Sequence, residues 1–356
     1  MMVNTSYPGI YLSEEASLNF SVTSSATAVP AFSLRYVSGM HHPEGNINAF
    51  YSWPEFLASL SGDDSSWEYY QSVRLWYMCG GGKCYLVHKS AIEEAVRKYN
   101  DITMVVASGT ENDMVDQFNK LISSGYRIFG LFDGPNKKID GGTVPDDILK
   151  NYPATPYGAI YYPWCQSAEG KSIPPSAVAA AAIALTDSTR GPWKAPANMV
   201  INGITPNYPV TDDLQGRFNQ GKALNMIRTF PDVGTVVWGA RTLEDSDNWR
   251  YIPVRRLFSM VERDIQKALN KLVFEPNSQP TWQRVKAAVD NYLYRLWQQG
   301  GLLGNKADEA YFVCIGKGIT MTTDDINQGK MIVQVGMAAA RPAEFIILQF
   351  TQNIAQ

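Results

Sequence analysis

The feature that most constrains the fold of this chain is the alternation of strand-like and helix-like segments over residues 28–247. The pattern predicts strands at residues 73–78, 85–88, 103–107, 126–132 and 157–161. It predicts helices at residues 52–60, 92–99, 114–122 and 176–186, with Ser52 and Ser176 as the N-caps of the first and last. Alternation of this kind is typical of an α/β sandwich built on a largely parallel sheet.

The composition sets the broad class of protein and argues against two kinds of partner. The chain has 356 residues, of which 45% are hydrophobic and 18% charged, as in a soluble globular protein with room for two domains. Its 12% aromatic content predicts extensive buried contact, within the chain or between subunits. A net charge of −3 argues against nucleic acid as the main partner. The longest apolar run, nine residues at 177–185, is too short for a membrane span, so no membrane insertion is expected.

The first thirty residues have the character of an arm and not of a domain. The N-terminus lacks the basic-then-apolar pattern of a signal peptide, so synthesis and assembly in the cytoplasm are expected. An extended segment follows, consisting of Tyr7, Pro8, Gly9, Ile10, Tyr11 and Leu12. It reads either as a strand of the protein's own sheet or as a strand donated to a neighbour. Small and polar residues at 13–27 would serve as its hinge.

The C-terminal region combines one amphipathic helix with three β-rich runs. Apolar residues at three- and four-residue spacing predict a helix over 282–299, with Pro280 at its start and Gly300 at its end. The runs at 311–315, 331–335 and 345–350 follow. The last run has no polar face, because Phe345 and Ile347 alternate with Ile346, Leu348 and Phe350. An edge strand of that kind needs cover on both faces.

These two terminal segments predict strand exchange between subunits. The donated strands are Tyr7, Pro8, Gly9, Ile10, Tyr11 and Leu12 at one end and Phe345, Ile346, Ile347, Leu348 and Phe350 at the other. The receiving sheet is predicted from Tyr311, Phe312, Val313, Met331, Val333 and Val335.

Local features that resemble cofactor or metal sites are incomplete. Residues 80–83 read Gly-Gly-Gly-Lys, but Cys84 stands where a phosphate-binding loop needs Ser or Thr, and the leading spacing is missing. Cys79 and Cys84 have no second pair and no nearby His at ligand spacing. We therefore predict no cofactor and no metal. The four cysteines are expected to be reduced thiols.

No arrangement of residues points to catalysis. His41 and His42 lie in a Gly/Pro/Asn loop, and His88 ends a strand without an evident carboxylate to orient it. The motifs G-x-S-x-G and H-E-x-x-H are absent from the sequence. Four carboxylates, Asp63, Asp64, Asp146 and Asp147, read as solvated turn residues. The chain is predicted not to be an enzyme.

A series of motifs resembles the tail sheath proteins of contractile phage tails, R-type pyocins and related contractile injection systems. The motifs occur in the family's order along almost the whole chain. They are Y-P-G-I-Y at 7–11, W-P-E-F at 53–56, G-G-G-K-C-Y at 80–85, W-G-A-R-T-L at 238–243, V-R-R at 254–256, F-E-P-N at 274–277, G-G-L-L-G at 300–304 and P-A-E-F at 342–345. The compact length resembles the short sheath of antifeeding-prophage and Photorhabdus virulence-cassette particles.

The resemblance implies a subunit in two parts. An outer domain with a subtilisin-like α/β sandwich and no protease triad would span residues 28–247. An inner α+β domain would comprise residues 248–356 together with the arm at 1–27, its small sheet completed by strands exchanged with neighbouring subunits. One departure is Leu185, which stands where relatives commonly have Arg before the Asp, so contacts made there in relatives are not carried over.

The resemblance also implies the function and the partners. The chain would be a structural subunit that polymerises as stacked hexameric rings around an inner tube and contracts to drive the tube through a target membrane. Its partners would be further copies of itself, the inner tube protein, baseplate and terminal cap proteins, and sheath paralogues, within a released extracellular particle or a virion tail. The alternatives are a non-contractile tube or capsid-type protein and a hydrolase on the subtilisin-like sheet.

The surface predicted to face the inner tube is the helix at 282–299 with the turn that follows. Arg284, Lys286, Arg295 and Lys306 could pair there with carboxylates of the tube. The alternative is a solvated helix face, since exposed ion pairs contribute only ~0–1 kcal/mol each.

Overall fold

The computed structural model describes residues 20–35, 45–110 and 114–345. The strands of the described residues are β1 Pro30–Leu34, β2 Ile47–Phe50, β3 Cys84–His88, β4 Met104–Val106, β5 Phe129–Asp133, β6 Gly158–Tyr162, β7 Cys165–Ser167, β8 Ser172–Ile173, β9 Ile204–Pro206, β10 Leu224–Phe230, β11 Gly234–Trp238, β12 Tyr311–Cys314 and β13 Gln334–Met337. The helices are α1 Trp53–Ala58, α2 Glu68–Met78, α3 Ile92–Lys98, α4 Val115–Ser123, α5 Pro145–Leu149, α6 Pro175–Arg190, α7 Asp212–Arg217, α8 Ile252–Leu269, α9 Gln279–Gln298, α10 Ala307–Ala310 and α11 Thr323–Asn327.

A mixed sheet forms the centre of the described part of the chain. Its eight strands run in the order β11-β10-β6-β5-β4-β1-β3-β2, and only the two edge strands pair antiparallel with their neighbours. A small antiparallel sheet of β7, β8 and β9 lies beside it. The predicted α/β class with a largely parallel sheet is confirmed.

Helices cover both faces of this central sheet. Successive strand residues point to opposite faces. Phe32 of β1 accordingly packs in the cluster that contains α2 and α6, whereas Ala31 packs in the cluster that contains α3 and α4. The buried helix α6 is rich in alanine and lies against β4, β5 and β6 beside α2. Small side chains on every side allow one helix to meet both a sheet and a second helix.

A third hydrophobic cluster belongs to the C-terminal part of the chain. It joins α8 and α9 to the two-stranded sheet of β12 and β13. Val22, from the segment before β1, is also buried in it with 1% of its surface exposed. The predicted boundary near residue 248 falls in the turn before α8, and the domain division remains a prediction.

The residues that precede β1 are fixed on α8. Ser25 donates its backbone N–H to Asp264 Oδ1 at 3.1 Å, and the carbonyls of Ala26 and Thr27 accept from Arg263 and Arg256. Polar side chains of α8 thus hold the last residues of the predicted hinge over 13–27 in this structure, and the hinge stays a prediction. Residues 13–19 lie outside the described residues.

The strand predicted over residues 73–78 is wrong, because these residues form the second half of α2. The apolar and aromatic run resembled a buried strand. Its buried members, however, follow helical spacing from Tyr69 through Val73 to Trp76. Each other strand and helix predicted between residues 52 and 186 is observed, with ends displaced by up to a few residues.

Two single-residue predictions also need correction. Ser176 is not the N-cap of α6, because the helix begins at Pro175 after Pro174, and the backbone N–H of Ser176 instead donates to Asp133 at 2.8 Å. Asp64 is not solvated: it is 1% exposed and accepts a hydrogen bond from the Tyr69 hydroxyl. Ser52 caps α1 as predicted.

In the described part of the chain, none of the helices has both the length and the apolar character that crossing a bilayer requires.

Candidate assembly surface

Helices α8 and α9 and the sheet of β12 and β13 build a surface whose apolar layer is incomplete. In the sheet, Tyr311 pairs with Met337 and Val313 with Val335. Directly opposed residues of an antiparallel pair project to the same face. Since Tyr311 and Val313 are buried in the third cluster, that face is the one that packs on the helices.

An open groove lies where this sheet ends, and we call it the C-terminal groove. It has a volume of about 810 Å³. Val261 and Ile265 of α8 form one wall, and Met331, Val333, Val335 and Met337 form the other. Val261 and Ile265 are themselves buried, whereas the residues of the other wall are only half-buried, so the apolar surface that stays open lies mainly on the β13 side.

The edge of β13 beside the C-terminal groove has backbone groups that are not paired with another strand of the described residues. Within the part of the chain that the structure describes, β13 pairs with β12 along one edge and with no strand along the other. Ala338, just beyond β13, bonds Ala310 and Leu303 on the β12 side. Because backbone groups alternate in direction along a strand, those of Val335 and Met337 point to the open edge. An open edge beside an apolar groove is the kind of surface on which proteins add a further strand.

The outer face of the same sheet is also apolar in part. Phe312 of β12 is 50% exposed, and its ring lies across Gly336 of β13, where a Cβ would come within 2.1 Å of Phe312 Cε1. An aromatic ring over a cross-strand glycine covers backbone that would otherwise face water. Gly336 is therefore required by the position of Phe312.

A buried arginine closes one end of the C-terminal groove. The Arg255 side chain is 4% exposed and lies 4.3 Å from the ring centroid of Trp249 and 4.7 Å from that of Tyr157. It donates to Glu262 Oε1 at 2.9 Å, and Arg127 reaches the other oxygen of Glu262, also at 2.9 Å. This network joins α8 to residues of the central sheet and its loops.

The predicted receiving residues divide into two groups. Tyr311, Phe312 and Val313 lie in β12, and Val335 lies in β13. The strand predicted over 331–335 is displaced, because β13 spans Gln334–Met337. Met331 and Val333 thus precede the strand and line the C-terminal groove instead of pairing with β12.

The four basic residues predicted to face the tube do not share one surface of α9. At about 100° per residue, Arg284 and Arg295 lie about 20° apart around the helix, whereas Lys286 lies about 200° from Arg284. All are exposed, as is Lys306 before α10. Arg284 pairs with Glu275 at 3.5 Å, and Arg295 donates to the carbonyl of Asn291.

Of the predicted donated strands, only Phe345 lies within the described residues, and it is 71% exposed. Tyr7, Pro8, Gly9, Ile10, Tyr11, Leu12, Ile346, Ile347, Leu348 and Phe350 lie outside them. The residue before Phe345 is held by an ion pair: Glu344 accepts from Arg241 Nη2 at 2.7 Å and from Arg241 Nε at 3.0 Å. Tyr251 also donates to Glu344, at 3.2 Å.

Several of these residues were not predicted from the sequence as parts of a site. Arg241 lies in the W-G-A-R-T-L motif and Glu344 in the P-A-E-F motif, so the ion pair joins two motifs through residues that lie 103 positions apart in the sequence. The α8 wall of the groove was missed because its helical pattern carries no sign that a neighbouring layer is incomplete.

The motif that resembles a phosphate loop has a packing role. Trp76 lies against the turn and donates its indole N–H to the carbonyl of Gly82 at 2.8 Å. A Cβ at Gly81 would lie 2.2 Å from Trp76 Cε2, so the turn requires glycine there. Lys83 pairs with Asp101 at 2.6 Å.

The remaining candidates for chemistry are dispersed. The four cysteines are free, and burial raises the pKa of the Cys84 thiol to about 12. His88 contacts Ser90 at 2.7 Å, while His41 and His42 lie outside the described residues. Asp63, Asp146 and Asp147 are exposed as predicted. No group of three or more metal-binding side chains occurs among the residues that the structure describes.

Comparison with known proteins gives matches along most of the chain. The family model of the phage tail sheath protein central domain matches residues 85–243, and that of the phage tail sheath C-terminal domain matches residues 244–353. The tail sheath protein of Vibrio phage KVP40 is 25% identical over 171 residues, which are 47% of this chain and 24% of that protein. The chain thus spans about a quarter of the length of the curated relative that it matches.

Two solved assemblies contain chains that resemble this one over their whole length. A chain of the anti-feeding prophage (AFP) baseplate in its contracted state is 59% identical with a TM-score of 0.91, and the match covers 98% of this chain and 100% of that one. A chain of the contracted sheath complex of PVC, an extracellular contractile injection system, is 49% identical with a TM-score of 0.89, and the match covers 99% of each chain.

Proposed function

The chain belongs to the phage tail sheath protein family and is a structural subunit of a contractile sheath; we propose that it polymerises as stacked hexameric rings around an inner tube. The predicted resemblance to sheath proteins, and to those of antifeeding-prophage and Photorhabdus virulence-cassette particles in particular, is confirmed. Contraction of the polymer then drives the tube through a target membrane.

The subunits are joined by exchanged strands. The C-terminal groove supports this proposal, because its apolar lining lies next to the open backbone edge of β13. A strand laid beside β13 would satisfy the backbone groups of Val335 and Met337 and cover the half-buried side chains of these two residues. The sequence has a β-prone apolar segment near each end that requires a sheet edge and apolar cover. The segment at 345–350 has no polar face. This coincidence is the observation that carries the proposal.

The proposed outer and inner domains of the subunit correspond to the two parts of the fold. Residues 28–247, with the central sheet, form an outer subtilisin-like domain without a protease triad. Residues 248–356 form the inner domain together with the arm at 1–27. The Arg255–Glu262–Arg127 network and the buried Arg256–Asp187 ion pair join α8 to the outer part, which supports movement of the subunit as one body.

The energy for contraction is stored in the assembly and not supplied by a chemical reaction of the subunit. An extended polymer that relaxes to a contracted one with more buried contact releases a small free energy per subunit, which the number of subunits multiplies. The protein is therefore proposed not to be an enzyme, and no cofactor is required.

The proposed partners are those that this architecture requires. They are further copies of the chain, the inner tube protein, baseplate and terminal cap proteins, and sheath paralogues. Particles are assembled in the cytoplasm and then released.

The experiment that tests the proposal is truncation of the terminal strands followed by electron microscopy. We expect the full chain to form wide helical tubes. Deletion of residues 1–14, or of all residues after Ala343, should leave a folded protein that no longer polymerises. Ile347→Asp should act in the same way, because a charge would be buried without a partner in the receiving groove.

Each truncated protein should keep the circular dichroism and the cooperative unfolding of the full chain. Because truncation after Ala343 also removes the Glu344 partner of Arg241, Ile347→Asp, which keeps Glu344, is the variant that separates loss of assembly from loss of folding. Long tubes formed by either truncated protein would show that the termini complete the subunit's own sheet, and strand exchange would then be wrong. Narrow tubes from the full chain would indicate a tube protein instead of a sheath.

A further inference from the structure

The loop between α8 and α9 presents one aromatic side chain entirely to solvent. Phe274 is 101% exposed, and its neighbour Val273 is 59% exposed. Both line the C-terminal groove at the end opposite to Trp249 and Arg255. A large apolar side chain left fully exposed to water does not stabilise the isolated subunit, because it is the burial of apolar surface that is favourable.

The backbone of Phe274 is held in an unfavourable conformation. Its φ is +75°, in the left-handed region that side chains with a Cβ rarely adopt. Residues in such conformations persist where the surrounding structure imposes them, and they concentrate at functional positions.

The surrounding contacts do impose this conformation. Asn277 donates its side-chain amide to the carbonyl of Lys330 at 2.9 Å and accepts the indole N–H of Trp282 at 2.7 Å. The N–H of Glu275 donates to the carbonyl of Leu272 at 3.0 Å, and the Glu275 carboxylate pairs with Arg284. The loop is thus fixed both to α9 and to the residue before Met331, which lies in the groove wall.

We propose that Phe274 is a preformed anchor that packs on the C-terminal strand, residues 345–350, of a second copy of this chain seated in the C-terminal groove. This inference rests on the proposed strand exchange and adds the residue that fixes the incoming strand. An aromatic side chain on a fixed backbone makes a strong contact on binding, because little main-chain freedom is lost.

The C-terminal strand fits this place better than the N-terminal segment does. Five of its six residues are apolar and they lie on both faces, Gln349 being the polar one, so that one face can meet the α8 wall while the other remains available to Phe274 at the rim. The N-terminal segment contains Pro8, which has no N–H to donate to an open edge. The six residues at 345–350, when extended, span about 20–22 Å at most, so the receiving groove must lie within that distance of Glu344.

Two substitutions separate an anchor from a structural residue. Phe274→Gly removes the ring and also relieves the backbone, because glycine adopts positive φ without strain. We expect the thermal unfolding midpoint of the unassembled protein to stay the same or rise. The protein concentration needed for tube formation should increase at least about tenfold, as expected when an anchor residue is lost. Phe274→Leu should retain most of the assembly.

A matched control is Val144→Ala, which shortens another exposed apolar side chain, 55% exposed, at the start of α5. It should leave tube formation unchanged. If Phe274→Gly lowers the unfolding midpoint, or assembles as readily as the unaltered chain, the anchor role is wrong.

The identity of the contacting strand is tested by placing a photo-crosslinking phenylalanine analogue at position 274. Tubes are assembled from a mixture of isotopically light and heavy subunits. The expected product is a crosslinked peptide pair of mixed isotopic label that contains residues 345–350. A crosslink to residues 7–12, to any other segment, or to a peptide of the same label alone would overturn the proposed contact. If the unaltered chain forms no tubes, the proposed function itself fails, and the anchor fails with it.

Discussion

Asp133 shows how a single buried carboxylate connects three elements of the central sheet. It ends β5, and its two oxygens accept from the backbone N–H groups of Gly109 and Ser176, each at 2.8 Å. Ser176 lies in the first turn of α6, where the helix dipole favours a negative charge. Burial nevertheless dominates and raises the pKa of Asp133 to about 6.

This raised pKa predicts a pH dependence of stability with a definite sign. The folded protein binds the Asp133 proton more tightly than the unfolded chain does, since the ordinary pKa is 3.8. The contribution of Asp133 to the free energy of unfolding should therefore fall as the pH rises from about 4 to about 6. Asp133→Asn removes this titration. We expect the stability difference between the unaltered chain and this variant to change by about 3 kcal/mol across that interval, measured by urea unfolding at several pH values.

Asp325 provides a control of opposite sign. It is partly exposed, and hydrogen bonds from Thr322 hold its pKa below 3.8. Its contribution is therefore lost as the pH falls through that lower pKa and not as the pH rises. If Asp133→Asn follows the unaltered chain at every pH, Asp133 does not titrate in this interval.

At the scale of elements, regular patterns were predictable from the sequence and incomplete layers were not. The buried helix α6 and the amphipathic helix α9 follow from apolar spacing alone. A strand was wrongly predicted for the aromatic run in α2, because Leu75, Trp76, Tyr77 and Met78 are compatible with a buried strand as well as with a helix. Packing against α6 favours the helix. The C-terminal groove could not be predicted, because the open area depends on how far a two-stranded sheet extends over α8.

The ion pair between α6 and α8 yields a prediction at this scale. Asp187 and Arg256 have side chains that are each 5% exposed and are joined by contacts of 2.6 and 2.9 Å. Asp187→Asn should lower the free energy of unfolding by about 3 kcal/mol, because the Arg256 charge would stay buried without an acidic partner. The midpoint of urea unfolding measures the change.

The double variant Asp187→Leu with Arg256→Met is the comparison. It removes both charges and keeps apolar volume, so it should recover part of the loss. The recovery should be incomplete, since Arg256 also donates to the carbonyl of Thr27. A single variant as stable as the unaltered chain would show that the pair contributes nothing to the junction between α6 and α8.

At the scale of the whole molecule, polar contacts link parts of the chain that the sequence keeps far apart. Residues 25–27 bond to α8, Arg127 pairs with Glu262, and Arg241 pairs with Glu344. Sequence reasoning identified the motifs in which several of these residues lie, but it could not pair them, because ion pairs between distant segments leave no periodic pattern. Links of this kind couple α8 and the segment before β1 to the residues around the central sheet, so that a displacement of α8 would be passed to that sheet.

The positions of the basic residues around α9 also narrow the surface that is predicted to meet the inner tube to one flank of that helix. Arg284 and Arg295 lie along one flank of the exposed side of the helix, and Lys286 lies on the other. Contacts with tube carboxylates through exposed side chains would be weak and sensitive to salt, which suits a tube that must slide free.

Reversal of both charges, Arg284→Glu with Arg295→Glu, should impair extended assembly on the tube and leave contracted sheaths able to form. Lys286→Glu is the matched control on the opposite flank and should leave extended assembly intact. The measurement is the fraction of extended particles counted by electron microscopy after co-expression with the tube protein. An equal loss in both variants would indicate a general charge effect. Unchanged yields in the double variant would mean that this flank does not contact the tube.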